Sequence, residues 1–228
     1  MRIGIYGGSF NPVHRGHMRV AERALGELAL DRLLVIPAAV SPFKADARRE
    51  ELSSDRVLLL RAAFNGWEKV TVDVREIDRG GVSYAIDTVR EVRAENPGAE
   101  IFFVIGEDSV AGLPRWKDWE TLRTLCEFKA YPRTAESSTE VRARLARGEP
   151  VEELVPEPVA LFLRHGVGLN PDGKLVRAVR EGLSRKGGHC PCRLPRTPEF
   201  FCPCAEFRGQ LADASFHGLC HCRLYLKP

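Results

Sequence analysis

The chain has 228 residues, 44% of them hydrophobic and 29% charged, with a formal net charge of +3. That is enough apolar material for a real core, and too little charge to argue for nucleic acid. No apolar run approaches the length of a membrane span, and the first residues read as a strand and not as a signal peptide, so the expected location is the cytoplasm, with no membrane partner.

Strand-like and helix-like segments alternate from the start. Ile3–Tyr6 is an apolar run of the buried parallel-strand kind, and a helix is expected over His17–Leu28. The same pairing repeats as Leu33–Pro37 with Ser53–Ala63, Val70–Val74 with Ser83–Glu95, and Ile101–Ile105 with Trp119–Leu125. A fifth strand, Phe128–Tyr131, precedes two further helices, Ser138–Arg147 and Pro156–His165. Glycine and proline punctuate the joins at Gly7–Gly8, Asn96–Pro97–Gly98 and Pro132. Alternation of this kind predicts an α/β fold, a doubly wound parallel sheet with helices on both faces.

The character then changes. Gly166–Asn170 reads as a linker, and Pro171–Lys186 as a helix with Leu175, Val176, Val179 and Leu183 on one side. Short segments rich in Cys, Pro and Arg follow. From Pro171 onward ten Lys or Arg face five Asp or Glu, about +5, so the small part is basic and the rest slightly acidic. Six of the seven cysteines lie between Cys190 and Cys222, as three Cys-x-Cys pairs. Clustered thiols without an export signal favour metal or redox chemistry over structural disulfides. The expected division is residues 1–168 as one domain and residues 169–228 as a small Cys-rich second domain.

Chemistry is expected beyond the carboxyl ends of the strands. The first strand runs into Gly7-Gly8-Ser9-Phe10-Asn11-Pro12-Val13-His14-Arg15-Gly16-His17. Glycines there let backbone N–H groups approach a phosphate, and the following helix offers its positive end. His14 and His17, one turn apart, can stabilise charge on phosphoryl oxygens. A pair of histidines at this spacing also suits a metal.

This stretch resembles the signature of the HxGH nucleotidyltransferases, in the form used by bacterial nicotinate-nucleotide adenylyltransferases. Four further segments agree in order: Ser41-Pro42-Phe43-Lys44 after Ile36-Pro37, Gly81-Val82-Ser83-Tyr84-Ala85-Ile86-Asp87-Thr88, Gly106-Glu107-Asp108-Ser109 with Leu113-Pro114-Arg115-Trp116, and Ser137-Ser138-Thr139-Glu140-Val141-Arg142. The resemblance covers residues 1–168. It implies transfer of the adenylyl group of ATP to nicotinate mononucleotide, with Mg²⁺ on the triphosphate. His14, His17, Lys44 and Arg142 would do the catalytic work. Gly8, Ser9, Phe10, Gly106, Asp108, Ser138 and Thr139 would bind ATP. Ser83, Tyr84, Thr88 and Trp116 would receive the mononucleotide, Trp116 by stacking on the pyridine. Ala85 and Lys117 depart from the family's pattern, and the segment between Tyr131 and Ser137 is unusually short. In that last respect the chain is similar to phosphopantetheine adenylyltransferase, and another phosphorylated acceptor is the alternative.

Cys190-Pro191-Cys192, Cys202-Pro203-Cys204 and Cys220-His221-Cys222 suit an iron–sulfur cluster with a dithiol, or zinc. Their type and order resemble the catalytic subunit of ferredoxin–thioredoxin reductase, with different gaps between the pairs. The resemblance implies a [4Fe–4S] cluster on Cys190, Cys202, Cys204 and Cys220, and a redox disulfide between Cys192 and Cys222. It also implies ferredoxin and thioredoxin-like proteins as partners. The alternative is a zinc-stabilised interaction module.

Overall fold

The structure is a computed structural model and describes residues 1–43 and 53–228. Arg2–Gly8 (β1), Arg32–Pro37 (β2), Val70–Val72 (β3), Glu100–Gly106 (β4) and Glu127–Tyr131 (β5) form one parallel sheet in the order β3-β2-β1-β4-β5. Each expected strand is present, β3 shorter by two residues. The connections are the helices Arg15–Glu27 (α1), Ser53–Ala63 (α2), Arg75–Arg79 (α3), Ala85–Glu95 (α4) and Trp119–Leu125 (α5).

Side chains alternate across the sheet, so each face needs its own cover. Ile3, Ile5, Ile101, Phe103 and Ile105 pack with Ile86, Val89 and Val92 of α4 and Leu122 of α5. Tyr6, Leu33, Phe102 and Val104 face the other way, towards Ala21 and Ala24 of α1 and Leu58 and Leu60 of α2. Each such buried aliphatic or aromatic side chain contributes about 1.5–3 kcal/mol of transfer free energy. This is the doubly wound arrangement expected from the alternation.

Two local features differ from expectation. The helix expected over Ser83–Glu95 begins at Ala85, and the five-residue α3 precedes it. Gly80 and Gly81, at φ of 71° and 68°, end α3 in a conformation that glycine adopts without cost. Five residues are too few to register as a helical period. After β4 the chain forms a 3-10 helix over Glu107–Arg115, with Pro114 inside it.

Beyond β5 come Ser138–Ala146 (α6) and Glu157–Arg164 (α7). The segment expected as a linker contains a strand, Gly168–Leu169 (β6), because it finds a partner far along the chain. Tyr225–Lys227 (β8) lies between β6 and Gly218–Leu219 (β7) in a small antiparallel sheet. Gly173–Arg185 (α8) is capped by Asp172, whose carboxylate accepts from the N–H groups of Lys174 and Leu175. Ala205–Ala212 (α9) was not legible in the cysteine-rich stretch. Val176, Val179 and Leu183 of α8, and Phe207 and Leu211 of α9, join the same buried core as Phe162 of α7 and Leu58 of α2. Composition changes near residue 168; the core runs across it. Among the described residues no helix is long and apolar enough to cross a membrane.

Candidate active site

Strand order reverses between β1 and β4, which opens a crevice above their carboxyl ends. Gly8 and Ser9 line one side, Gly106 and Asp108 the other. Two cavities, of about 710 and 580 Å³, adjoin there and share Gly7, Gly8, Ser9, Gly106, Asp108 and Ser109. Gly106 lets Asp108 fold back, since a Cβ at 106 would lie 2.5 Å from Asp108 Oδ1.

The smaller cavity holds the histidines. His14 caps α1 in an extended conformation, and its backbone N–H donates to His17 Nδ1 at 3.2 Å. An accepting Nδ1 places the proton of neutral His17 on Nε2. The two rings lie 3.7 Å apart, centroid to centroid, and Phe10 packs on His17 at 4.9 Å. Burial pushes His14 down to about 4, against a smaller upward pull from Glu136, with Arg19 and Arg133 adding to the fall. Burial and the neighbouring His14 push His17 well below the ordinary range. His14 Nδ1 is buried with no hydrogen-bond partner among the described residues. Gly16, between the histidines, has no room for a side chain: a Cβ there would lie 2.0 Å from Thr134 Oγ1.

Facing the histidines is the N-terminus of α6. Ser137 caps it by accepting from the Glu140 N–H at 3.1 Å. Ser138 Oγ donates to Pro12 O at 2.9 Å, and Arg142 donates to Asn11 O at 2.5 Å and Thr139 Oγ1 at 3.4 Å. The motif at 137–142 is thus tied to the loop before α1, and both line one cavity. Arg133, mostly exposed, pairs with Asp108 at 3.7 Å across the rim.

The larger cavity has aromatic walls. Trp116 stands edge-on to Phe103 at 5.7 Å and Phe128 at 5.9 Å. Tyr84 lies opposite, beneath Lys117, whose Nζ sits 4.5 Å from the ring centroid and 3.2 Å from Asp87 Oδ2. Ser83 lines this cavity and accepts from the Ala39 N–H at 2.9 Å. Thr88, grouped with these by sequence, is fully buried and lies beneath the cavity wall. Its hydroxyl donates to Glu76 Oε1 at 2.5 Å, and Glu76 lines the cavity with its carboxyl raised by burial against the pull of the Thr88 and Ser83 hydrogen bonds. Lys44 lies outside the described residues.

Sequence reasoning passed over Arg56 and Glu76. Arg56 of α2 is buried and donates to Ser9 O at 2.7 Å and Ala38 O at 2.9 Å, holding together the two loops that frame the cleft. Its one signal in the sequence is a charge at the head of the apolar run Val57–Leu60.

The C-terminal cysteines are mostly buried. Cys190, Cys202, Cys204, Cys220 and Cys222 are buried, Cys192 is exposed, and all are free thiols. The Cys220 and Cys222 sulfurs are 3.6 Å apart. Hydrogen bonding among the three thiols raises Cys222 and pulls Cys190 and Cys220 below the ordinary thiol range. Burial pushes Cys202 up to about 12 and also raises Cys204 and Cys192. The resemblance pairs Cys192 with Cys222; both are free thiols here, and Cys222 makes a sulfur contact with Cys220. The donors fit a thiophilic metal in type, being all sulfur and mostly buried. They are not drawn into a finished shell: no group of three or more His, Cys, Asp or Glu converges as a metal site among the described residues. Cys126, half-buried, donates its S–H to Leu122 O at 3.7 Å, as a small core residue does.

The cytidylyltransferase-like family model matches residues 5–161 and so ends before the cysteine segment. A protein of Gemmatimonas aurantiaca described as a probable nicotinate-nucleotide adenylyltransferase is 36% identical over 191 residues, spanning 72% of this chain and 90% of that protein. A Geobacter protein of the same description is 38% identical over 171 residues, 74% of this chain and 77% of its own. In fold, the chain is similar to the Plasmodium falciparum nicotinic acid mononucleotide adenylyltransferase complexed with NaAD, at a TM-score of 0.56 and 14% identity, over 71% of this chain and 94% of that one.

Proposed function

Because this chain belongs to the cytidylyltransferase-like family, in its nicotinate-nucleotide adenylyltransferase branch, we propose that it transfers the adenylyl group of ATP to nicotinate mononucleotide, a step of NAD synthesis. The observation that carries the reading is the pair of joined cavities. One offers histidines, a helix N-terminus and Arg142 to a triphosphate; the other offers aromatic walls to a heteroaromatic ring. Their shared floor at Gly8–Ser9 is where an acceptor phosphate and the α-phosphorus would meet.

The acceptor phosphate attacks the α-phosphorus in line, and pyrophosphate leaves towards the α6 N-terminus. His17, with Nδ1 engaged by the His14 N–H, presents Nε2–H to phosphoryl oxygens. Ser138, Thr139 and Arg142 take the β- and γ-phosphates. No covalent protein intermediate is required; positioning and charge neutralisation supply the rate. Mg²⁺ on the triphosphate would neutralise phosphate charge; of the two carboxylates lining the histidine cavity, Glu136 is paired with Arg19, and Asp108 would be the one to hold it.

The test is pyrophosphate release from ATP and Mg²⁺ with nicotinate mononucleotide, nicotinamide mononucleotide or phosphopantetheine. Nicotinate mononucleotide should be the preferred acceptor, and His17→Ala should lower kcat by about 10²–10³. Preference for another acceptor would overturn the substrate, and an unimpaired His17→Ala would overturn the mechanism.

For the cysteine segment we infer a metal–thiolate centre, on the strength of five buried free thiols within a short stretch of chain. The resemblance to ferredoxin–thioredoxin reductase makes a [4Fe–4S] cluster its first candidate and zinc the second, with ferredoxin and a thioredoxin-like protein as partners in the first case. Anaerobic purification followed by iron, sulfide and zinc analysis decides between them; a metal-free protein with full thiol titre rejects both.

A further inference from the structure

Glu76 is a buried carboxyl that the transfer step leaves idle. It is 7% exposed and lines the aromatic-walled cavity. Its aim is fixed from behind. Arg79 Nη2 donates to Thr88 Oγ1 at 3.3 Å, which commits the single Thr88 proton to Glu76 Oε1 at 2.5 Å. Ser83 is its other hydrogen-bonding neighbour. Two of a carboxylate's roughly four acceptor positions are thus filled, and the rest are vacant. Arg79 is itself paired with Glu91, and among the described residues no cation forms an ion pair with Glu76. A buried carboxylate left short of donors is costly, and a ligand that brings donors relieves the cost.

The position of Glu76 says which donors. At the phosphate loop the Ala38 N–H donates to Gly8 O at 2.9 Å, and the Ala39 N–H donates to Ser83 Oγ at 2.9 Å. Tyr84, the next residue, belongs to the aromatic end of the cavity. Glu76, beside Ser83, therefore stands on the wall between the place of a phosphate and the place of a heteroaromatic ring. A mononucleotide spans that interval with its ribose. Nicotinate mononucleotide carries a phosphate and a ring carboxylate, both of which Glu76 repels. Above pH 7 its hydrogen-bond donors are the two ribose hydroxyls. We propose that Glu76 is a specificity-determining contact for the acceptor's ribose, its carboxylate accepting from the vicinal hydroxyls, and that Thr88 is the positioning residue that aims it. An acidic side chain takes a ribose hydroxyl in the same manner in dinucleotide sites. The proposal rests on the reading of this cavity as the acceptor's.

The test compares nicotinate mononucleotide with its 2′-deoxy and 3′-deoxy analogues in pyrophosphate release, using the unmodified protein, Glu76→Ala and Thr88→Val. In the unmodified protein at least one analogue should lose about tenfold or more in kcat/KM, because the carboxylate is left without its donor. Glu76→Ala should treat that analogue and the parent alike to within about twofold, and Thr88→Val should show an intermediate penalty. Calorimetry with ATP and Mg²⁺, without acceptor, should give one Kd for all three proteins, which establishes that the variants are folded. A penalty as large in Glu76→Ala as in the unmodified protein overturns the contact, and so does the absence of any penalty in the unmodified protein. Should Glu76→Ala fail to bind ATP, Thr88→Val carries the test, and an undiminished penalty there overturns the proposal. A Glu76→Ala that changes the preference between nicotinate and nicotinamide acceptors while keeping the deoxy penalty would put Glu76 at the ring and overturn the ribose contact. No turnover of nicotinate mononucleotide by the unmodified protein is a different result, and overturns the adenylyltransferase reading on which the contact depends.

Discussion

Lys117 decides a question of charge. Nicotinate and nicotinamide mononucleotides differ by one carboxylate, and Lys117 and Arg115 are the cations on the aromatic-walled cavity among the described residues. Lys117 already faces Asp87 at 3.2 Å, so its pull on a ligand carboxylate is partly spent and partly screened. Lys117→Met should reduce the kcat/KM preference for the nicotinate acceptor about fivefold, the worth of an exposed pair near ~1 kcal/mol; an unchanged ratio assigns the preference elsewhere. The histidines make a prediction about acid. Burial depresses both imidazoles, so the unfolded chain binds protons that the folded one refuses. Stability from this source is complete above about pH 6.5 and is lost as the pH falls towards the folded His14 value of about 4. Thermal melts between pH 7.5 and 4.5 should show Tm falling, and His14→Gln should flatten part of the fall. Parallel curves for the two proteins would mean that His14 is not the group being titrated.

At the scale of elements, Ser137 carries the clearest test. It caps α6, whose first turn lines one cavity with His14 and His17. Ser137→Ala should cost about 1 kcal/mol in denaturant unfolding and also raise the KM for ATP, because a frayed first turn no longer aims its N–H groups. A loss of stability with an unchanged KM would detach the cap from the site. The elements most legible in sequence are those fixed by local pattern. The apolar runs of β1, β2 and β4 and the glycine loop after β1 announce both the sheet and the loop that lines the two cavities. What escaped notice depends on partners far away in the chain. β6 is two residues long and exists because β8 pairs with it from the far side of the cysteine segment. Arg56 reads as an ordinary helix arginine until Ser9 and Ala38 arrive beside it. Thr88 sits within a motif that points to substrate, yet which hydroxyls of a motif reach the cavity and which brace its wall is set by packing, not by order in the chain.

For the molecule as a whole, the shared core is the governing fact. Phe207 of α9 is fully buried and lies 6.2 Å from Phe162 of α7, ring to ring. All three tryptophans, Trp67, Trp116 and Trp119, precede residue 168. Phe207→Ala should therefore destabilise by about 3–5 kcal/mol, and tryptophan fluorescence, which reports only the transferase part, should follow the same single transition. Fluorescence that melts at the original midpoint would show two independently stable bodies.

Gly16 ends with a lesson about tolerance to change. The atom that denies it a side chain is Thr134 Oγ1, carried by the short connection between β5 and α6. That connection works as a ruler, setting how far Ser138 and Arg142 stand from the histidine helix. A version of the chain with a longer and looser span there would keep its two histidines and yet owe the glycine between them to some other neighbour. Here positions 16 and 134 are one locus in two places: a drift in either is judged by the state of the other, and the freedom of the loop to grow is limited by a residue more than a hundred positions before it.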